Sequence, residues 1–323
     1  MNWQAAKTPW TKIRQRRKRV DKMKKFTDDC SIRSAAIRNS ELSYFITSDD
    51  SAHPDFRHTL YFTRESVGKK VDIGGEVYSW TAVSCCIATK PKEQCVTLGD
   101  DGHINLLGSG EDLNEQIPEP DDRSGDLREV RAIDGIPYVV GINRQCFRRP
   151  KAGVWERFDQ GLPPGGKGLP GLESIHGFNA NELYAVGWKG EIWERSKRTK
   201  GKWKLAAQPT TLAFFRVLCA EDGNVYAAGQ GGILFRGRGA TWELIDHRDM
   251  QDDIFDLEWF DGKLWLSTMY SLHTLEDGHL TLIDFDGEPP STCNHLSTAE
   301  GLLWSIGAKD VMQFDGTDWT RIL

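Results

Sequence analysis

The chain of 323 residues carries a formal charge of −6, is 39% hydrophobic, and contains 12 tryptophans and 32 glycines. That apolar content supports a packed core and excludes wholesale disorder, and no apolar run approaches the roughly 20 residues a membrane-spanning helix needs. The seven cysteines, odd in number and without a CxxC, point to reduced, buried thiols rather than a disulfide framework or a zinc site.

In chain order, residues 1–29 read as a basic extension. Residues 1–30 hold ten Lys/Arg against three Asp/Glu, so this end carries +7 and the remainder −13. The stretch MNWQAAKTPWTKIRQRRKRVDKMKKF lacks the apolar core and cleavage site of a secretory signal, so a cytoplasmic protein without membrane insertion is expected. The tract KIRQRRKRVDKMKK has the charge to meet nucleic acid or an acidic membrane surface, or to act as a nuclear address. It is short and has no interleaved aromatics, which disfavours nucleic acid. A short helix with Ile13, Val20 and Met23 turned inward against an acidic body is the plainer expectation.

From residue 30 to 323 the chain repeats. Thr47, Gly99, Gly141, Gly187, Gly229, Thr268 and Gly307 end equivalent apolar runs, which gives seven units of about 39 to 52 residues. Each unit contains four short segments, as in LESIHGF, ELYAVGW, EIWERS and KWKLAAQ of the fourth. They are rich in aromatic and β-branched residues and are separated by Gly, Asn and Asp, which are strand and turn signals. The last segment of a unit usually begins with tryptophan, at Trp155, Trp203, Trp242 and Trp319. Four strands in roughly 40 residues predict a β-propeller blade, so residues 30–323 are expected to form an all-β, seven-bladed propeller. The anchoring glycines should serve a positive φ or a close backbone approach, and the tryptophans should fill the wedges between blades. Near the start, PWTKIRQ has nearly the pattern of the final DWTRIL, so the alternatives for this end are a strand, Trp10–Ile13, pairing at the seam between first and last blades, or a coincidental match in a helical or disordered tail.

The pattern resembles the WD-repeat, kelch and Asp-box propellers. The paired glycine of kelch repeats occurs in register as Gly231–Gly232. RGRGATWEL at 236–244 is similar to half an Asp-box, with Gly239, Thr241 and Trp242 in place and Gly237 where the aspartate belongs. WD dipeptides at strand ends are missing, so the resemblance implies a fold and no particular activity.

The repeat also places charge. Loops joining second to third strands, and fourth strands to the next blade, should share one rim. Assigned there are Asp49, Asp50, Asp100, Asp101, Glu111, Asp112, Asp121, Asp122, Asp249, Asp252, Asp253, Asp284 and Asp286, with Trp188, Tyr270 and Phe56 as apolar contacts. Converging carboxylates attract a cationic partner. First strands should line a central channel with Glu129, Glu173, Arg216, Asp256, Asn294 and His295 near its mouth. Glu129, Asp256 and Asn294 are oxygen donors that suit calcium, as in some propeller hydrolases and lactonases. No phosphate loop, GxSxG or comparable catalytic motif is present.

Solitary, degenerate propellers of this kind resemble those found beside bacterial contact-dependent toxins, where an immunity protein caps the toxin. That resemblance implies a non-enzymatic inhibitor, monomeric by itself, that grips a basic protein partner and needs no cofactor. The alternatives are a calcium-dependent hydrolase or lactonase with its site at the channel mouth, and an assembly scaffold.

Overall fold

The computed structural model describes residues 26–53, 55–67, 70–118, 125–164, 171–248, 250–285 and 287–323. The expected inward-facing helix and the alternative seam strand Trp10–Ile13 lie outside these residues. Phe26–Asp28 form a short 3-10 turn, and 28 strands follow in seven antiparallel sheets of four, each in simple sequence order. The blades span residues 30–78, 82–116, 127–157, 172–207, 214–244, 256–282 and 295–321, and are numbered 1 to 7 below. This is the all-β, seven-bladed propeller that the repeat predicts.

The pattern of burial explains the geometry. Second strands such as Gln94–Gly99 and Val225–Gly229 are buried along their whole length, because each sheet is covered on both faces by its neighbours. The core is accordingly divided into seven apolar clusters, one between each pair of consecutive blades. Tryptophans fill the wedges: Trp203 is buried between blades 3 and 4, and its indole N–H donates to the Phe158 carbonyl at 2.7 Å. Trp155 reaches across from blade 3 to Glu115 of blade 2 at 2.9 Å.

Blades 1 and 7 each take all four strands from their own stretch of chain, so no described strand is shared across the seam. Closure comes from packing. Phe45 stacks on Trp304 at 5.9 Å within a cluster that includes Ile32, Ile37, Ile306 and Leu323. The Ile32 N–H donates to the Ala308 carbonyl at 2.8 Å, and Lys309 Nζ donates to the carbonyls of Thr27 and Cys30.

The anchoring glycine owes its place to close approach. Gly187 is extended, with φ −177, and a Cβ there would lie 2.0 Å from the Gly171 carbonyl oxygen. Positive φ appears in the turn that follows, at Lys189 and Gly190 in blade 4 and at Gly231 and Gly232 in blade 5. All seven cysteines are free thiols. Among the described residues no helix is long and apolar enough to cross a membrane.

Candidate functional site

Alternating hairpins sort the loops to the two ends of each sheet. The 2–3 turns and the connections between blades lie at one end, here called the loop face, and the 1–2 and 3–4 turns lie at the other. On the loop face stand Asp49, Asp50, Asp100, Asp101, Asp252, Asp253 and Asp284, with Phe56, Trp188 and Tyr270. Asp121, Asp122, Asp249 and Asp286 fall outside the described residues.

Glu111 and Asp112 do not belong to this group. They begin the strand Glu111–Gln116, immediately after a 3–4 turn, and so sit at the opposite end of blade 2. Glu111 there pairs with Lys92 of the 1–2 turn, and Asp112 accepts from Asn105 Nδ2 at 2.8 Å. The strand Glu111–Gln116 thus separates these two carboxylates from Asp126, which stands at the loop-face end of the same run.

The loop face is also less uniformly acidic than its aspartates suggest. Arg57, two residues beyond the acidic stretch that the sequence marks out, contacts both Asp100 and Asp101, the latter at 2.9 Å. Lys309 contacts Asp50, and Asp253 accepts from the Gly231 N–H at 2.7 Å. Burial raises the carboxyl of Asp101, but His103 and Arg57 outweigh it and hold the group below the usual carboxylate range. Asp50 is lowered in the same way, with burial opposed by Lys309 and Ser31.

The channel is a cavity of about 420 Å³ lined by the first strands of all seven blades. Their pairing with the second strands puts Ser34, Ser84, Glu129, Ser174, Arg216, Asp256 and His295 at equivalent positions, one step inside the anchoring glycine or threonine. Several of these residues tie one blade to the next. Ser174 Oγ accepts from the Val217 N–H at 3.2 Å, and Glu129 Oε2 accepts from the Ile175 N–H at 2.7 Å. Asp256 Oδ2 accepts from the Leu296 N–H at 3.0 Å.

Arg216 is the centre of this ring. It contacts Glu129 through Nη1 and Asp256 through Nε at 2.5 Å, so one guanidinium holds carboxylates from blades 3 and 6. Burial pushes Asp256 up, yet Arg216, His295 and the Leu296 amide more than offset that and keep it ionised. Two residues farther along the same strands, Arg131 of blade 3 reaches Glu258 of blade 6 at 3.0 Å. Burial raises the Glu258 carboxyl, with Arg131 opposing.

These residues do not fit calcium. The guanidinium of Arg216 already stands between the two carboxylates, where it would repel a divalent cation. Among the described residues no group of three or more His, Cys, Asp or Glu could hold a metal ion. The channel mouth is therefore a structural ion network.

At the mouth, Trp188 Nε1 donates to Glu173 Oε1 at 2.5 Å, and Arg128 lies 3.9 Å from the same carboxyl. Burial raises Glu173, with Trp188 and Arg128 opposing. Beside them Phe215 stacks on Phe255 at 5.8 Å, with ring planes within 8°. Sequence reading passes over this pair, although each precedes by one residue a position that the repeat alignment identifies, Arg216 and Asp256.

Comparison with known proteins places this geometry. No family model matches the chain. Over 308 residues it is 40% identical to the immune protein Tsi7 of Pseudomonas aeruginosa, covering 93% of this chain and 99% of that protein. Among solved structures, the WD40 propeller domain of Doa1 superposes with a TM-score of 0.66 at 11% identity, covering 88% of this chain and 92% of that one. YCF48 bound to D1 peptide gives 0.64 at 14% identity, covering 87% and 90%. Identities this low speak for the fold alone.

Proposed function

This chain belongs to the family of the immune protein Tsi7, and from that membership we propose that it is a non-enzymatic immunity protein that binds and neutralises a toxin polypeptide. The observation that carries the proposal is the 40% identity, which extends over nearly the full length of both proteins. The buried ion pairs at the channel mouth agree with it, because carboxylates already held by arginine are poor acid–base catalysts.

The loop face is the docking side in this proposal, and the toxin is a basic protein met in the cytoplasm. Residues 31–323 carry −13, and the aspartates on that face would steer a cationic partner and speed encounter. The test is co-expression with each of the proteins encoded by the genes flanking this one, scored for toxicity and followed by affinity capture. Protection of the host and a one-to-one complex that weakens with salt are expected, since screening acts over about 8–10 Å. Failure to bind or protect would refute the immunity role. A complex insensitive to salt would refute the electrostatic docking while leaving that role intact, and several partners held on different faces would favour a scaffold.

A further inference from the structure

The immunity reading leaves open which part of the loop face carries the grip. Blades 4 to 6 present five large apolar side chains there: Trp188, Phe215, Phe255, Met269 and Tyr270. Trp188 is 44% exposed, Met269 41% and Tyr270 73%, more than packing of the fold requires.

Three of the side chains are held by their neighbours, and the other two stand on a braced turn. The Glu173 hydrogen bond fixes the indole of Trp188, and Phe215 and Phe255 brace each other at the edge of the channel cavity. The turn bearing Met269 and Tyr270 is built on Thr268. Its Oγ1 accepts from the N–H groups of Tyr270 and Ser271 at 3.2 and 3.0 Å and lies 2.7 Å from the Ser271 hydroxyl. The Met269 carbonyl accepts from the Cys293 N–H at 2.8 Å, tying the turn to the next blade. Pre-positioned aromatics lose little freedom on binding, which is what makes such residues the energetic centre of interfaces.

We propose that this aromatic crescent is the centre of the toxin-docking surface and that it receives an arginine- or lysine-bearing loop of the toxin at the channel mouth. The inference rests on the immunity reading and adds to it a location and a partner chemistry. Charge around the crescent chooses the occupant. Asp252 and Asp253 stand just before Phe255, and behind the rings Glu129 and Asp256 share the guanidinium of Arg216, with Arg131 3.8 Å from Glu129. Against them stand Lys189 and Arg128, the latter facing a carboxylate of its own, Glu173, at 3.9 Å. A guanidinium laid on Trp188 or Phe215 would meet the negative faces of the rings and these carboxylates together, whereas an acidic loop would be repelled by both.

The experiment uses the purified full chain and the toxin polypeptide identified by that co-expression and capture. Trp188→Ala and Tyr270→Ala should each weaken binding at least tenfold, chiefly through faster dissociation, and Phe215→Ala with Phe255→Ala at least a hundredfold. Asp252→Asn with Asp253→Asn should instead slow association severalfold and flatten the salt dependence. Tyr270 is exposed enough that its replacement cannot unfold the protein, so the test survives if the double phenylalanine variant does not fold. With Tyr270 replaced by the photo-crosslinker p-benzoylphenylalanine, the adduct should map to a toxin segment bearing arginine or lysine. Wild-type affinity in the Trp188 and Tyr270 variants, or an adduct on a segment without basic residues, would overturn the inference while leaving toxin binding itself intact. Hydrogen-exchange protection confined to the lysine-rich turn 196–203 at the opposite end would overturn it equally. Absence of any complex would remove both readings.

Discussion

Removing the Arg216 guanidinium would leave Glu129 and Asp256 facing each other in a buried channel without the cation that bridges them, Arg131 staying 3.8 Å from Glu129 and His295 3.8 Å from Asp256. Arg216→Met should cost about 3–5 kcal/mol in urea denaturation, the range for breaking one side of a buried ion pair. Arg216→Lys should recover little of it, since an ammonium cannot reach two carboxylates in a forked geometry. The Asp256 contribution is present above the ordinary carboxylate pKa and is lost as pH falls through its depressed value. His176 responds at milder acidity. Burial, with Arg131 and Arg216 close by, drives it well below 6.5, and its Nδ1 accepts from the Cys219 N–H at 2.8 Å. The unfolded chain therefore takes up the proton first, and stability falls as pH drops below 6.5. A single such group costs about 1 kcal/mol between roughly pH 6.5 and 5.5, and His176→Gln should flatten that part of the melting-temperature profile. Most of this ring was legible from the repeat, because equivalent register identifies Glu129, Arg216, Asp256 and His295 together. What the register could not supply was the side-chain pairing. An alignment puts Glu129 and Asp256 at equivalent places without showing that Arg216 spans both.

The 2–3 hairpin is the element most exposed to single substitutions. In blade 4 the turn Trp188–Gly190 needs two successive positive φ values, at Lys189 (φ 59) and Gly190 (φ 67). Lys189→Gly should stabilise the protein by about 0.5–1 kcal/mol, because glycine reaches this conformation without the Cβ penalty. Gly187→Ala acts in the opposite direction through a different cause. Its Cβ would sit 2.0 Å from the Gly171 carbonyl oxygen, so the backbone must move, at a cost of about 3 kcal/mol by thermal melting. The sequence identified this glycine as special and left its reason open between positive φ and close approach. Distances of this kind belong to the neighbouring connection and are invisible within the hairpin itself. The same limit explains Glu111 and Asp112: composition marks the acidic run, but only the position of the 3–4 turn decides which end of the blade they occupy.

At the scale of the ring, stability depends on a seam that no described strand crosses. Trp304→Ala removes the ring that stacks on Phe45 and should cost about 3–5 kcal/mol, with faster amide exchange concentrated in the first strands of blades 1 and 7. Blade number and strand order were legible because every blade repeats the same local code. The balance of charge on the loop face was less so, because Arg57 and Lys309 come from turns whose neighbours only the closed circle defines.

Seven units of one architecture in one chain invite miscounting, by leaving a blade out or by closing around the wrong one. Apolar wedges would tolerate such errors, being much alike from blade to blade. The inner ring would not. Its serines, acids, arginine and histidine occur in one fixed order, and a ring that left out blade 3 or blade 6, or closed around a unit out of order, would strand Arg216 away from one of its carboxylates. The polar centre thus acts as a tally, and the correct stoichiometry of the fold is enforced from its axis outward.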